Sequence, residues 1–107
     1  MLNQLDSLLH SKTRLAIMSL LMNLEEAEFI YLKEQTGVSA GNLSLQLEKL
    51  RAGEYIEIRK GFKKKYPVTI CTITSKGREA FRQYVLDIKQ YLEPGRQDEI
   101  AEEGLAG

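Results

Sequence analysis

The stretch Thr36-Gly37-Val38-Ser39-Ala40-Gly41-Asn42-Leu43-Ser44-Leu45-Gln46-Leu47-Glu48-Lys49-Leu50-Arg51-Ala52-Gly53 decides how the rest of this 107-residue chain is read. Gly37 can adopt the left-handed conformation that closes a helix, so residues 30–36 are expected to form one helix ending there. Ser39 can accept a hydrogen bond from a free amide of a following first turn, so a second helix is expected over residues 40–51. Within it Leu43, Leu47 and Leu50 recur one turn apart and define a buried side. The opposite side presents Gly41, Asn42, Leu45, Glu48 and Lys49, with Ser44 and Gln46 on the flanks. Gly53 ends the element.

Working outward toward the C-terminus, Tyr55-Ile56-Glu57-Ile58-Arg59 alternates as a half-buried strand does. Residues 60–65 read as a turn, and residues 66–73, rich in β-branched side chains, as the returning strand, with Pro67 tolerable near its start. Thr74 or Ser75 then caps a last helix over residues 76–92. Toward the N-terminus, Glu28-Phe29 reads as a very short strand. Leu15, Ile17, Met18, Leu20, Leu21 and Met22 cover more than one face of a central helix beginning near Lys12. Leu2, Leu5, Leu8 and Leu9 sit at helical spacing and predict a short helix ahead of it. The expected order is α-α-β-α-α-β-β-α: mainly α with a small β-hairpin wing, a winged helix-turn-helix.

The formal net charge of zero hides a segregation. Through residue 92 there are 14 Lys and Arg against 10 Asp and Glu, a balance of +4. From Glu93 onward Arg96 stands against five acids, a balance of −4. Residues 1–92 are therefore expected to be the folded domain with terminal dimerisation helices. Residues 93–107 read as an acidic, mobile tail, too poor in apolar groups to offset its ordering entropy. No apolar run approaches the roughly 20 residues needed to cross a bilayer. Met1-Leu2-Asn3-Gln4 lacks the build of a secretory signal, and the single cysteine, Cys71, excludes an internal disulfide. A cytoplasmic location with no membrane partner is the expectation.

Small and amide-bearing side chains near a helix start suit insertion into a major groove. Asn42 and Gln46 each carry the paired donor and acceptor that reads adenine. Gly41 lets the backbone approach phosphate, and the helix N-terminus itself attracts anions. Ser39, Gly41, Asn42, Ser44, Leu45, Gln46 and Lys49 are the candidate recognition residues. Leu45 suits either a thymine methyl or another part of the protein. Arg59, Lys60, Lys63, Lys64 and Lys65 place five positive charges within seven residues. On a hairpin tip they suit phosphate contacts or the minor groove. A solvated turn, or a winged helix that docks an acidic protein surface without binding DNA, remains the competing reading.

The run from residue 29 through 81 resembles the winged-helix transcriptional regulators of the MarR/ArsR-like superfamily, in particular a compact single-domain branch. The resemblance is carried by Leu32, Thr36-Gly37-Val38, Gly41-Asn42-Leu43-Ser44, Leu47-Glu48-Lys49-Leu50, Gly53-Glu54-Tyr55-Ile56 and Thr72-Ile73-Thr74-Ser75-Lys76-Gly77-Arg78-Glu79-Ala80-Phe81. The opening Leu8-Leu9-His10-Ser11-Lys12-Thr13-Arg14-Leu15 also looks like that branch. The resemblance implies a recognition helix over residues 39–49, a basic hairpin gripping the flanking backbone, and dimerisation through terminal helices. The chain departs from many relatives at Leu45 and Gln46, where a basic residue or histidine is common. It lacks the paired cysteines of the metal-sensing branch.

One recognition helix covers few base pairs, and a two-fold dimer places two of them about one DNA turn (~34 Å) apart. The stripe of Phe81, Tyr84, Val85, Ile88, Tyr91 and Leu92 offers a surface for that purpose, though part of it must serve the core. Leu2, Leu5, Leu9, Tyr84, Ile88, Tyr91 and Leu92 are the expected interface residues of a homodimer. A small-molecule effector fits this architecture, but no residue identifies one. Catalysis has little to work with: His10 and Cys71 are each alone, and no phosphate-binding glycine loop is present. A non-enzyme without cofactor or metal is expected.

Overall fold

Ser11 begins the first helix of the computed structural model, which describes residues 5–93. Its hydroxyl accepts from the Arg14 amide at 3.3 Å, and helix α1 runs Lys12–Leu24, burying Ile17, Met18 and Leu21. A three-residue strand, β1 (Glu26–Glu28), leads directly into α2 (Phe29–Thr36). Gly37, at φ 72°, closes α2 in the left-handed conformation, its amide bonded to the Lys33 carbonyl. Ser39 caps α3 (Ala40–Ala52) through its hydroxyl to the Asn42 amide at 3.1 Å. Strands β2 (Ile56–Lys63) and β3 (Tyr66–Ile73) follow, then α4 (Ser75–Leu92). Thr74 joins the last two elements: its hydroxyl accepts from the Gly77 amide at 2.9 Å and donates to the Glu54 carbonyl at 2.7 Å.

The three strands form one antiparallel sheet in the order β1-β3-β2. Cys71 lies opposite Ala27 on one side and Ile58 on the other, and Ile73 opposite Ile56. Because side chains alternate across a strand, Ala27, Ile56, Cys71 and Ile73 all face the helices and are buried. They join Leu9, Ile17, Met18, Leu21, Leu32, Leu43, Leu47, Leu50 and Tyr84 in one core that contains no polar residue other than Tyr84 and Cys71. The Tyr84 hydroxyl is paired with His10 Nδ1 at 2.8 Å, so burying it leaves no orphaned group.

The expected helix at the start of the chain does not form across residues 5–10. Asp6 competes with it. The Asp6 carboxylate accepts from the Leu8 amide at 2.9 Å and from the Tyr55 hydroxyl, and its carbonyl accepts from Leu9 and His10. A short side chain bonding its own backbone offers an alternative to helix. The resulting turn drops Leu9 into the core at 0% exposure. Leu9 is thus corrected from an interface to a core residue, since its own chain covers it, whereas Tyr84 packs on the core and also lines a groove between α1 and α4. Leu5 packs, half-buried, on the same cluster. Leu2, and the acidic tail beyond Glu93, lie outside the described residues.

Gly77 lets α4 start where it does. A Cβ at that position would overlap the Tyr55 carbonyl and come within 3.0 Å of the Met18 terminal methyl. The obstacle is backbone, which cannot rotate away. Gly77→Ala is expected to destabilise the fold by about 1–3 kcal/mol, as overpacking does. Thermal unfolding followed by circular dichroism checks this, and an unchanged midpoint contradicts it.

Candidate nucleic-acid interface

Burying Leu43, Leu47 and Leu50 turns the other side of α3 to solvent, where Gly41, Asn42, Ser44, Leu45, Glu48 and Lys49 are all exposed. Apart from its chain neighbours and the backbone of its own helix, nothing lies within 4 Å of where a Gly41 Cβ would sit, so the backbone there is open to approach. Leu45 is 54% exposed and does not belong to the core. Glu48 makes a two-pronged ion pair with Arg51, at 2.5 and 2.8 Å, which holds its carboxyl below the usual range. That pairing offsets the one acidic charge on the exposed face beside Lys49. The Ser39 hydroxyl is committed to its capping bond.

Gln46 differs from its neighbours. It is half-buried, and both ends of its amide are engaged: Oε1 accepts from Arg14 Nη1 at 2.5 Å, and Nε2 donates to Asn42 Oδ1 at 3.0 Å. Arg14 in turn donates Nε to the Leu8 carbonyl at 2.6 Å. Two amides that look equivalent in sequence therefore occupy different places, and Arg14 is a member of the site that sequence reasoning missed.

The wing is longer and tighter than expected. β2 continues through Lys63 and pairs Lys63 with Tyr66, so the turn contains only Lys64 and Lys65. Lys64 takes φ 58° there. Arg59, Lys60 and Lys63 consequently lie on a strand rather than at the tip, and alternation divides them between two faces. Lys60 points to the α3 side, bonding Thr69 Oγ1 at 2.9 Å. It borders a cleft of about 330 Å³ shared with Phe29, Ser44, Leu47, Ile58 and Thr69. Arg59 and Lys63 point the other way, toward Glu26 and Glu28 at 3.4 and 3.3 Å. Lys64 and Lys65 make no ion pair among the described residues. Two aromatics missed in sequence, Phe62 and Tyr66, stand 77% and 74% exposed on this hairpin. Continuing the strand alternation past Arg59 was the signal that would have found Phe62.

Among the described residues, no group of His, Cys, Asp and Glu is placed to hold a metal, and no helix is long and apolar enough to cross a membrane. The core position of Cys71 pushes its thiol from 9.0 up to about 11, an effect of burial that Lys60 partly opposes.

The sequence profile of the winged helix DNA-binding domain family matches residues 13–92. An uncharacterized protein of Methanocaldococcus jannaschii is 42% identical over 81 residues, covering 76% of this chain and 88% of its own length. Among solved structures, a transcriptional regulator homologue from Pyrococcus horikoshii OT3 superposes with a TM-score of 0.77 at 23% identity, over 81% of this chain and 86% of that one. The transcriptional regulator BldR from Sulfolobus solfataricus gives 0.66 at 20% identity, over 90% and 70%.

The buried thiol reports on the packing between sheet and helices beneath this surface. In the unfolded chain it ionises near 9, so its burial adds stability below that pH, which is lost as pH rises toward 11. At pH 8 a thiol reagent is expected to label Cys71 at a rate limited by opening of the fold, and promptly in denaturant. Prompt labelling of the folded chain would contradict this placement.

Proposed function

The chain belongs to the winged helix DNA-binding domain family, and on that premise we propose that it is a transcriptional regulator that binds double-stranded DNA sequence-specifically as a homodimer. In this reading α3 enters the major groove and the wing holds the flanking backbone or minor groove. One observation carries it: Ser44 of α3 and Lys60 of the wing border the same cleft, so the polar helix face and the inner wing face open to one side. A duplex laid across that side meets both.

The division of labour follows from exposure. Asn42, Ser44, Leu45 and Lys49 reach base edges, while Gly41 and the α3 N-terminus capped by Ser39 approach phosphate. Lys60, Lys64 and Lys65 supply phosphate contacts directly. Arg59 and Lys63 are held by Glu26 and Glu28, but their side chains are 57% and 72% exposed. Exposed pairs of that kind are worth about 0–1 kcal/mol, so exchanging a glutamate for a phosphate costs little. The proteins of this family are binding modules, and the chain is not an enzyme.

The dimer surface is α4. Tyr91 and Leu92 near its end are 43% and 74% exposed. An apolar groove of about 450 Å³ runs between α1 and α4, lined by Leu15, Ala16, Phe81, Tyr84, Val85 and Ile88 among others. A second copy laid along α4 covers both. Tyr84, Ile88, Tyr91 and Leu92 are kept as interface residues, while Leu9 belongs to the core. At micromolar concentration, sedimentation is expected to give about twice the 12.2 kDa of one chain. Tyr91→Glu with Leu92→Glu is expected to return it to the monomer. A wild-type chain sedimenting only as a monomer rejects the dimer.

Duplex titration at several salt concentrations tests the binding. Affinity is expected to fall steeply with salt, with a slope of about −0.9 per phosphate contact. Lys63→Ala, Lys64→Ala and Lys65→Ala together are expected to weaken binding to every sequence and to flatten the slope by about 0.9 for each lysine that touches phosphate. An unchanged slope removes the wing from the interface. Absence of duplex binding returns the chain to a protein-docking role.

A further inference from the structure

The Arg14–Gln46–Asn42 chain determines more than the position of a side chain. A guanidinium has donors only. With Arg14 Nη1 directed at Gln46, the group facing it must be the glutamine oxygen, and the glutamine NH2 must face the other way. There it meets Asn42, and because an NH2 only donates, the group it meets must be Oδ1. Orientation is thereby passed from Arg14 along two amides that would otherwise be free to turn over. Arg14 itself is anchored by its Nε bond to the Leu8 carbonyl, inside the turn that Asp6 organises. Asn42, on the exposed face of α3, has its oxygen turned back along the helix toward Gln46, and its NH2 is the end left to face outward.

An asparagine that reads adenine presents oxygen and nitrogen together to the base edge. Asn42 is held otherwise. Resting on the DNA-binding reading above, we propose that Gln46 and Arg14 are positioning residues that set Asn42 as a hydrogen-bond donor, so that it selects a base edge carrying acceptors, guanine with its N7 and O6 foremost. Gln46 itself makes no base contact. The half-buried amide with both ends engaged, flanked by an exposed one whose oxygen is turned back to it and whose NH2 has no partner among the described residues, is the geometry that separates the two roles.

Gln46→Glu tests the relay. A carboxylate at that position still accepts from Arg14, but its second oxygen cannot donate. It can accept only from the Asn42 NH2, which turns the Asn42 amide over and presents its oxygen outward. Gln46→Met keeps the length of the side chain, removes both bonds and leaves Asn42 free to adopt either orientation. Binding is measured against duplexes that vary one base pair at a time, and the position read by Asn42 is the one that Asn42→Ala flattens. The wild type is expected to prefer guanine there by about tenfold or more. Gln46→Glu is expected to move the preference to adenine or cytosine, and Gln46→Met to level it.

Three results overturn the proposal: an unchanged preference in both Gln46 variants, a change confined to a different base pair (which makes Gln46 a reader), or an Asn42→Ala variant that flattens no position. If the wild type binds no duplex at all, the regulator reading fails, and the relay is then decided by nuclear magnetic resonance of the side-chain amides. The Asn42 NH2 is expected to exchange freely with water in the wild type and to become protected and shifted downfield in Gln46→Glu. An Asn42 NH2 signal that is the same in both proteins refutes the relay without reference to DNA.

Discussion

The burial of three leucines on one side of α3 is the constraint on which the rest of the molecule depends. Leu43, Leu47 and Leu50 are 0%, 2% and 0% exposed, sharing a core with Ile17, Met18 and Leu21 of α1. Each fully buried leucine contributes about 1.5–3 kcal/mol relative to exposure. Rotating α3 by one residue would bring the leucines out and carry Ser44, Glu48 and Arg51 inward, and taking even a paired carboxylate and guanidinium out of water costs several kcal/mol per ion. No comparable alternative exists. The helix therefore has one rotational setting, and that setting directs Gly41, Asn42, Leu45 and Lys49 outward whether or not DNA is present.

The sheet performs the equivalent service for the wing. Its inner face is apolar as far as Ile58 and then leaves the core, so that the same alternation that buries Cys71 and Ile56 brings Lys60 to the cleft beside α3 and leaves Phe62 exposed farther along the wing. The α3 helix and the hairpin are coupled because both are extensions of one packed centre. The acidic groups of β1 act on the other face. Glu26 and Glu28 hold Arg59 and Lys63 apart from the inner row. The basic cluster is thus graded: among the described residues Lys64 and Lys65 make no ion pair, Lys60 lies inward, and Arg59 and Lys63 are paired with glutamates on the outer face.

Where sequence and structure agree, the signal is local. Gly37, Ser39 and Thr74 set helix ends through bonds to atoms within four residues, and the leucine spacing of α3 needs no knowledge of its partners. The disagreements arise where a distant residue decides. The N-terminal leucines have helical spacing, but Asp6 bonds the local backbone and Tyr55, 49 residues away, and a turn results. The run of lysines at residues 60–65 resembles a solvated loop, yet pairing with β3 extends the strand to Lys63. Tyr84 lies on the same apolar stripe as Ile88, and its packing in the core and its bond to His10, 74 residues away, are not visible in that stripe. Asn42 and Gln46 look alike until Arg14, 32 residues before Gln46, gives them separate roles. A stripe or a cluster states which residues share a face; it does not state what covers them.

Enrichment of bound sequences from random duplex DNA addresses the central claim in one step. A two-fold dimer with its α3 helices in successive major grooves predicts a near-palindrome whose half-sites are centred about one helical turn (~10 base pairs) apart. Recovery of sequences no different from the starting pool, with no repeated half-site, would contradict it.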